Sequence, residues 1–347
     1  MAKNIRPVFL CELPPPYGGV TVKNQLIIDK VEEYGRDLKV IDLYECKRHK
    51  LHAPGILLQM LWAFMTRREI IYGFGSHKRL NIAVALQAMF GGKVSLRRTQ
   101  NIVMGGTYQN YAAENSVFCK RIANMKKHYV ETEGMKDALR ALGVPNVSVF
   151  PNPKSSEGCC PPRKRAPDEP LRLVFFSQIS REKGVADIME LVKLLDQDGT
   201  IPYTLDFYGH VVPDFKEEFE AFLPASNHVR YCGVFDSAKD NVYQKLNEYD
   251  VLLFPTRWEG EGVPGILVEA KMAGLAVIAS RQNFNAELVR EDQQEGILLD
   301  ENYAEEMFQA ILLLHLDSMK LQTIQNASYT SRKRFSLEEY MWFFETF

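Results

Sequence analysis

Two carboxylates and a run of glycines stand where a strand gives way to a helix in DVLLFPTRWEGEGVPGILVEAKMAGLAVIAS, residues 250–280. The apolar run ending at Pro255 reads as a buried strand. Pro264 suits the first turn of a helix and Gly274 its C-terminal cap. Gly262 and Gly265 let a ligand come close to the backbone, because neither carries a side chain. Glu261 falls in the loop and Glu269 on the second helical turn, so both can face a ligand held at the helix start. Carboxylates repel phosphate but accept hydrogen bonds from neutral hydroxyls, the groups that sugars and ribose offer. The plainer alternative is a pair of solvated charges near a helix N-terminus.

A second junction is FFSQISREKGV, residues 175–185, where a strand runs into a loop carrying Arg181 and Lys183 and closed by Gly184. Two cations at the carboxyl end of a strand are placed to neutralise a diphosphate; an exposed charged turn with Glu182 is the alternative. In a third, PPPYGGV at residues 14–20, Gly18 and Gly19 either let backbone pass close to a ligand between domains or make a simple turn. Gly260 to Gly265 also spell GxGxxG, the nicotinamide-binding pattern. The next strand ends at Ala279-Ser280-Arg281 with no acid for a ribose, so that reading survives only as an NADP variant using Arg281. Asp196-Gln197-Asp198 spells DxD, but it follows a helix and precedes Gly199, as an exposed helix end would. A hard cation needs converging oxygen ligands, and no metal site is expected.

The elements that must position these groups alternate, β then α, which predicts parallel sheets with helices packed on them. Strands are expected at 7–13, 38–43, 93–96, 127–131 and 147–150, with helices at 21–34, 78–90, 114–124 and 134–142. The proline-rich, aperiodic stretch 151–170 interrupts the pattern. It restarts with strands at 171–176, 203–208, 229–231, 250–254 and 275–279, and helices at 185–196, 238–248, 265–273 and 303–316. The expected organisation is an N-terminal domain at 1–153, a linker at 154–170, a C-terminal domain at 171–325, and a final helix at 326–347. Phe335, Tyr340, Trp342, Phe343, Phe344 and Phe347 give that last segment an apolar face, for return to the first domain or for a dimer contact.

With 347 residues, 46% hydrophobic and 25% charged, the chain has the make-up of a folded protein of about two domains. Its net charge of −2 conceals an asymmetry. Residues 1–150 carry 22 Lys+Arg against 12 Asp+Glu, and the remainder 20 against 32, so the basic half is fitted to an anionic partner. Cys11, Cys46, Cys119, Cys159, Cys160 and Cys232 show no CxxC spacing, which points to reduced thiols rather than disulfides or zinc. The apolar run near the start is too short for a signal peptide core or a membrane span, and a cytoplasmic location is expected. GILLQMLWAFMTRREII, residues 55–71, joins apolar bulk to Arg67 and Arg68; it reads either as a core helix with a charged end or as a surface resting on anionic lipid. The basic pairs of the first half come without an aromatic stacking motif, so no nucleic-acid partner is expected.

EGEGVPGILVEAKMAG resembles the EX7E signature of family 4 glycosyltransferases: Glu261, seven residues, Glu269, then a later Ala-Gly. The resemblance extends along nearly the whole chain in order. It takes in Pro16-Tyr17-Gly18-Gly19-Val20, Pro151-Asn152-Pro153, Glu182-Lys183-Gly184, and the strand-glycine element Phe207-Tyr208-Gly209. It implies the GT-B fold, two Rossmann-like domains facing across a cleft, with the acceptor on the first and a nucleotide sugar on the second. Lys183 would then hold the donor diphosphate, Glu269 the ribose hydroxyls and Glu261 the hydroxyls of the transferred sugar. Backbone amides around Val263, Pro264, Gly265 and Ile266 would contact sugar and phosphate, with Gly209 also on the donor side. The family commonly has arginine where Gln178 stands, which leaves the diphosphate to Lys183 with Arg181 nearby. Its frequent first-domain histidine has no counterpart in KVSLRRTQNIVMGG, where Arg97, Arg98, Thr99 and Gln100 stand. The implied activity is retaining, metal-independent transfer of a hexose-type sugar from a UDP- or GDP-sugar. The acceptor would be a saccharide or lipid-linked saccharide, in surface polysaccharide assembly at the inner face of the membrane. An NADP-dependent oxidoreductase and a catalytically silent sugar-nucleotide or membrane binder are the alternatives, and oligomeric state is left open.

Overall fold

A computed structural model describes residues 6–16, 18–66, 68–166, 168–237 and 239–346. Tyr17, Arg67 and Phe347, which enter the readings above, and Ala238, the first residue of an expected helix, lie outside the described residues. The chain divides into two units: residues 1–152 with 340–347, and residues 153–339.

In the first unit the strands β1 (Val8–Cys11), β2 (Lys39–Asp42), β3 (Ile70–Gly73), β4 (Thr99–Ile102), β5 (Lys127–Val130) and β6 (Val147–Val149) form one parallel sheet. Their order is β2-β1-β3-β4-β5-β6, with Val8 in register with both Lys39 and Ile70. VFLC and IIYG are buried on both faces, as parallel strands covered by helices must be. The direction of winding reverses between β1 and β3. At such a point the strands' carboxyl ends open a crevice for ligands.

One expected strand is misplaced. Residues 93–96 lie in a short helix, Gly92–Leu96, and the strand is β4, three residues further on. Its sequence, TQNI, carries little hydrophobic signal, because three of its four buried residues are polar; of these, Thr99 and Gln100 are paired: Gln87 Nε2 donates to Thr99 Oγ1 at 2.6 Å, and Gln100 Nε2 to Glu69 Oε1 at 2.8 Å. The helix expected at 114–124 is two, Tyr108–Glu114 and Ser116–Ile122, parted at Asn115, whose side-chain amide bonds back to the carbonyl of Tyr111.

The second unit repeats the theme with β7 (Leu171–Phe176), β8 (Tyr203–Tyr208), β9 (Val229–Tyr231), β10 (Val251–Phe254), β11 (Ala276–Ser280) and β12 (Ile297–Leu299). Their order is β12-β11-β10-β7-β8-β9, all parallel. Here the switch falls between β7 and β10. The helix after β7, Val185–Asp198, and the helix after β10, Gly265–Met272, therefore both begin at one crevice.

Residues 154–170, read above as a linker, are fastened along this second unit. Arg163 bridges the wholly buried Asp250 at 2.8 Å and Glu169 at 2.6 Å. The amide of Cys160 donates to the carbonyl of Met272, and Pro162 packs where a side chain on Gly274 would stand. Burial raises the pKa of both vicinal thiols, Cys159 and Cys160, so neither is activated. Lys154 makes a parallel bridge to Ser336: its amide donates to Phe335 and its carbonyl accepts from Leu337.

The segment expected as a single helix at 326–347 is broken. Helix Ser318–Ser331 ends, tight turns follow across an extended Ser336, and a short helix, Met341–Phe344, closes the described chain. Phe343 is fully buried in the first unit, stacked on Phe150 at 3.8 Å between ring centroids and edge-on to Tyr129 at 4.7 Å. Among the described residues no helix is long and apolar enough to cross a membrane. Because Phe343 fills the space against Phe150, Phe343→Ala should cost about 3 kcal/mol. That lowers the thermal midpoint of the first unit by roughly 6–12 °C, read by calorimetry.

Candidate functional site

The second crevice is built by two loops that lock together. Gly184 has φ +77° and starts the helix after β7; a side chain there would collide with the carbonyl of Pro255 at the end of β10. The amide of Arg257 donates to the carbonyl of Glu182 at 2.7 Å, and its guanidinium holds both oxygens of Asp187. Ser280 Oγ, at the end of β11, donates to the carbonyl of Thr256. Lys183 and Glu261 are thereby brought face to face, and Lys183 Nζ donates to Glu261 Oε1. Their side chains are only 17% and 12% exposed, so each charge depends on the other.

Behind this pair the helix Gly265–Met272 begins after Pro264. Gly262, Val263, Pro264 and Ile266 are buried and Gly265 partly so. The first amides of a helix have no partner within it and point outward with a partial positive charge, suited to an anion. Glu269 lies on the next turn and is held by Lys154, Nζ to Oε1 at 2.8 Å, with side chains 21% and 20% exposed. Tyr243 packs nearby, its hydroxyl donating to the carbonyl of Ser155 at 2.9 Å. Burial first, and then the negative charge of Glu269, push its phenol well above the usual range. Lys154 is the site residue that sequence reasoning overlooked. The signal available was a cation directly after Pro151-Asn152-Pro153.

Other expected residues fall elsewhere or serve the frame. Arg181 does not join Lys183: it pairs with Glu218 and lies over the ring of Phe215, 5.3 Å from its centroid, because the helix Lys216–Phe222 offers it a carboxylate. Gln178 is exposed on the same loop. Gly209, at φ +143°, is needed where a side chain would strike the carbonyl of Ser177, and its amide donates to Gly233. Asp196 accepts from Tyr203 at 2.7 Å and Asp198 caps the turn at Thr200. Arg281, on which the NADP reading rests, is taken by Asp300 at 2.6 Å and Glu291 at 2.7 Å.

In the first unit Gly18 and Gly19 open the helix Gly19–Glu33, with free space where side chains would stand. The neighbouring strand ends carry a buried polar group of residues that the sequence did not single out. Glu12, 1% exposed, forms an ion pair with Arg79 at 2.5 Å and accepts from the amide of Gly75, while Lys23 pairs with Glu131 at 2.6 Å, both nearly inaccessible. His77 bonds to Thr107 at 3.0 Å and packs on Tyr108 and Tyr111; burial lowers its pKa. Arg97 and Arg98 precede β4 and so lie at the amino end of the sheet, while Val103 to Gly106 occupy its carboxyl end.

Two doubly wound parallel sheets of this order define the GT-B class of fold. The solved structure of Anabaena HepE with UDP-glucose matches with a TM-score of 0.73 and 14% identity over 98% of both chains. The outer-core galactosyltransferase WaaB matches with 0.69 and 16% over 98% of both. Residues 161–333 match the family described as Glycosyl transferases group 1, and the chain belongs to that family. The amylovoran biosynthesis glycosyltransferase AmsK of Erwinia amylovora is 29% identical over 153 residues, 43% of this chain. A 41.2 kDa protein of the Klebsiella pneumoniae cps region is 31% identical over 112 residues, 32% of this chain. The aligned stretches span 36% and 28% of those two relatives.

The locked loops make one outcome specific. Gly184→Ala forces a non-glycine residue to positive φ against the Pro255 carbonyl. It should destabilise the second unit by about 2–3 kcal/mol, read as a lowered midpoint of its thermal transition, with the first unit's transition unmoved.

Proposed function

We propose that this chain is a retaining glycosyltransferase that moves a hexose-type sugar from a UDP-sugar to a hydroxyl of a saccharide or lipid-linked saccharide. Assembly of a surface polysaccharide is the setting we infer from the relatives' names, amylovoran biosynthesis and the cps region, and we place it on the cytoplasmic side of a membrane. The observation that carries the reading is the pair of cation–carboxylate couples, Lys183–Glu261 and Lys154–Glu269, around one helix start at the second sheet's switch point. UDP is preferred over GDP because matching structures contain UDP or UDP-glucose.

In this reading the diphosphate lies over the helix start and draws Lys183 away from Glu261. The freed Glu261 carboxylate accepts hydrogen bonds from the sugar's hydroxyls, and Glu269 from those of the ribose. The bond from the anomeric carbon to the diphosphate oxygen breaks and a bond to the acceptor oxygen forms on the same face. The acceptor's proton passes to the leaving phosphate oxygen, whose growing charge Lys183 opposes. Lys183 and Glu261 thus act on the reacting substrate, while Lys154 is a positioning residue that keeps Glu269 aimed. No step is assigned to a cofactor or metal.

A panel of nucleotide sugars with saccharide acceptors, followed by released nucleotide, identifies the donor. Lys183→Ala should weaken donor binding about 10- to 100-fold, the worth of a charge-assisted hydrogen bond of about 1.5–3 kcal/mol. Glu261→Gln should lower kcat about 100-fold while leaving donor affinity within a few-fold. Unchanged binding and turnover in both variants would refute the assignment. Nucleotide binding without turnover of any donor would favour a silent binder instead.

Lys154 gives an independent expectation. Lys154→Met should weaken UDP binding by about 5- to 30-fold, or about 1–2 kcal/mol, and Lys154→Arg should restore most of it. The effect should shrink when the ribose hydroxyls are removed by using a deoxyribose analogue, measured by titration calorimetry.

A further inference from the structure

The water-facing side of the helix Ala53–Met65 is built almost wholly from apolar residues. Ile56, Met60, Ala63 and Phe64 are buried against the first unit, yet the opposite face presents Leu57, Leu58, Trp62 and Met65, with Leu58 68% and Met65 61% exposed. Gln59 and the indole N–H of Trp62 are its side-chain groups able to hydrogen-bond. A helix on the surface of a soluble protein normally turns charged residues outward. The apolar surface continues onto the neighbouring helix His77–Phe90, where Ile82 and Met89 are 62% and 70% exposed, and onto Val94 beyond it. The two longer helices meet at their ends, where Gly91 lies so close to the carbonyl of Phe64 that a side chain would not fit.

Charge around this face is one-sided. From Cys46 to Ala113 the sequence has ten Lys and Arg and a single acid, Glu69. Glu69 is already neutralised by Lys126. Of the ten, Arg48 and Arg79 are spent on Asp42 and Glu12 within the unit. The Trp62 ring lies under two cations, Lys39 Nζ at 4.8 Å and the Arg68 guanidinium at 4.2 Å from its centroid. Lys93 and Arg97 are exposed beside Val94. An indole at the edge of an apolar patch with basic neighbours is the arrangement found at the boundary between lipid tails and headgroups.

We propose that this face is a docking surface for an anionic lipid bilayer. Its apolar side chains would enter the boundary of the acyl region, and Lys39, Arg68, Lys93 and Arg97 would lie among the headgroup phosphates. A second copy of the chain suits the face less well, because a twofold contact would bring its cationic rim against itself. Nucleic acid would meet the charge but leave the apolar side chains without a partner.

The test uses the full chain without donor or acceptor, so its outcome is independent of the glycosyl-transfer reading. Sedimentation with phosphatidylcholine vesicles, with and without phosphatidylglycerol, should show binding to the anionic vesicles that falls as salt rises. Leu58→Glu with Met65→Glu, and separately Lys93→Glu with Arg97→Glu, should each weaken it by about tenfold or more. Both pairs are exposed, so thermal midpoints should stay at the parent value, which guards against misfolding. Equal vesicle binding by parent and variants would overturn the proposal. So would oligonucleotide binding as tight as vesicle binding and indifferent to the apolar pair, or dimerisation abolished by that pair without vesicle binding.

Discussion

A lysine and a glutamate with little access to water cannot each stand alone at the mouth of a sheet; the pairing of Lys183 with Glu261 is what lets both be there. Much of the second unit can be understood as the means of bringing these two side chains, 78 residues apart in sequence, into contact. The winding of the sheet places β7 beside β10. Gly184 removes the side chain that would hold their loops apart, and Arg257 ties the second loop to the first helix through Asp187. The same pairing suits the proposed exchange of partners. In the proposed reaction a diphosphate takes the lysine and hydroxyls take the glutamate, so that neither charge is stranded at any stage.

Glu269 follows the same rule with a partner from a different part of the chain. Its cation, Lys154, belongs to a stretch without regular secondary structure. That stretch is held by Arg163 on Asp250 and by backbone bonds to Met272 and Phe335. Irregular backbone can place a functional group accurately when it is fastened at several points along its length.

The fold was largely legible from periodicity. β7, β8 and β9 and the helix Tyr303–Leu316 fall where the pattern put them. The failures have two physical origins. Thr99 and Gln100 are buried, hydrogen-bonded polar residues on a strand, and a hydrophobic pattern cannot register burial satisfied by hydrogen bonds. β3 was absorbed into the apolar stretch before it, where helix and strand run together without a break in composition. At the candidate site, Glu261, Glu269, Lys183 and the glycines could be singled out because they sit at strand–loop–helix junctions. Lys154 could not, because its role arises from a contact across 115 residues with no motif of its own. Arg181 illustrates the converse: position on a loop fixes where a side chain starts, but the nearest free carboxylate, here Glu218, decides where it ends.

The bridge between Lys154 and Ser336 has a practical corollary for dissecting the molecule. A recombinant fragment of the second unit begun at the strand Leu171–Phe176, where the regular pattern resumes, would discard Lys154 and leave Glu269 without its cation. It would also strip Phe335 and Leu337 of their backbone partner and Asp250 of Arg163. The smallest autonomous piece must therefore start no later than Pro153 and run through Glu339, so that both cut ends brace each other.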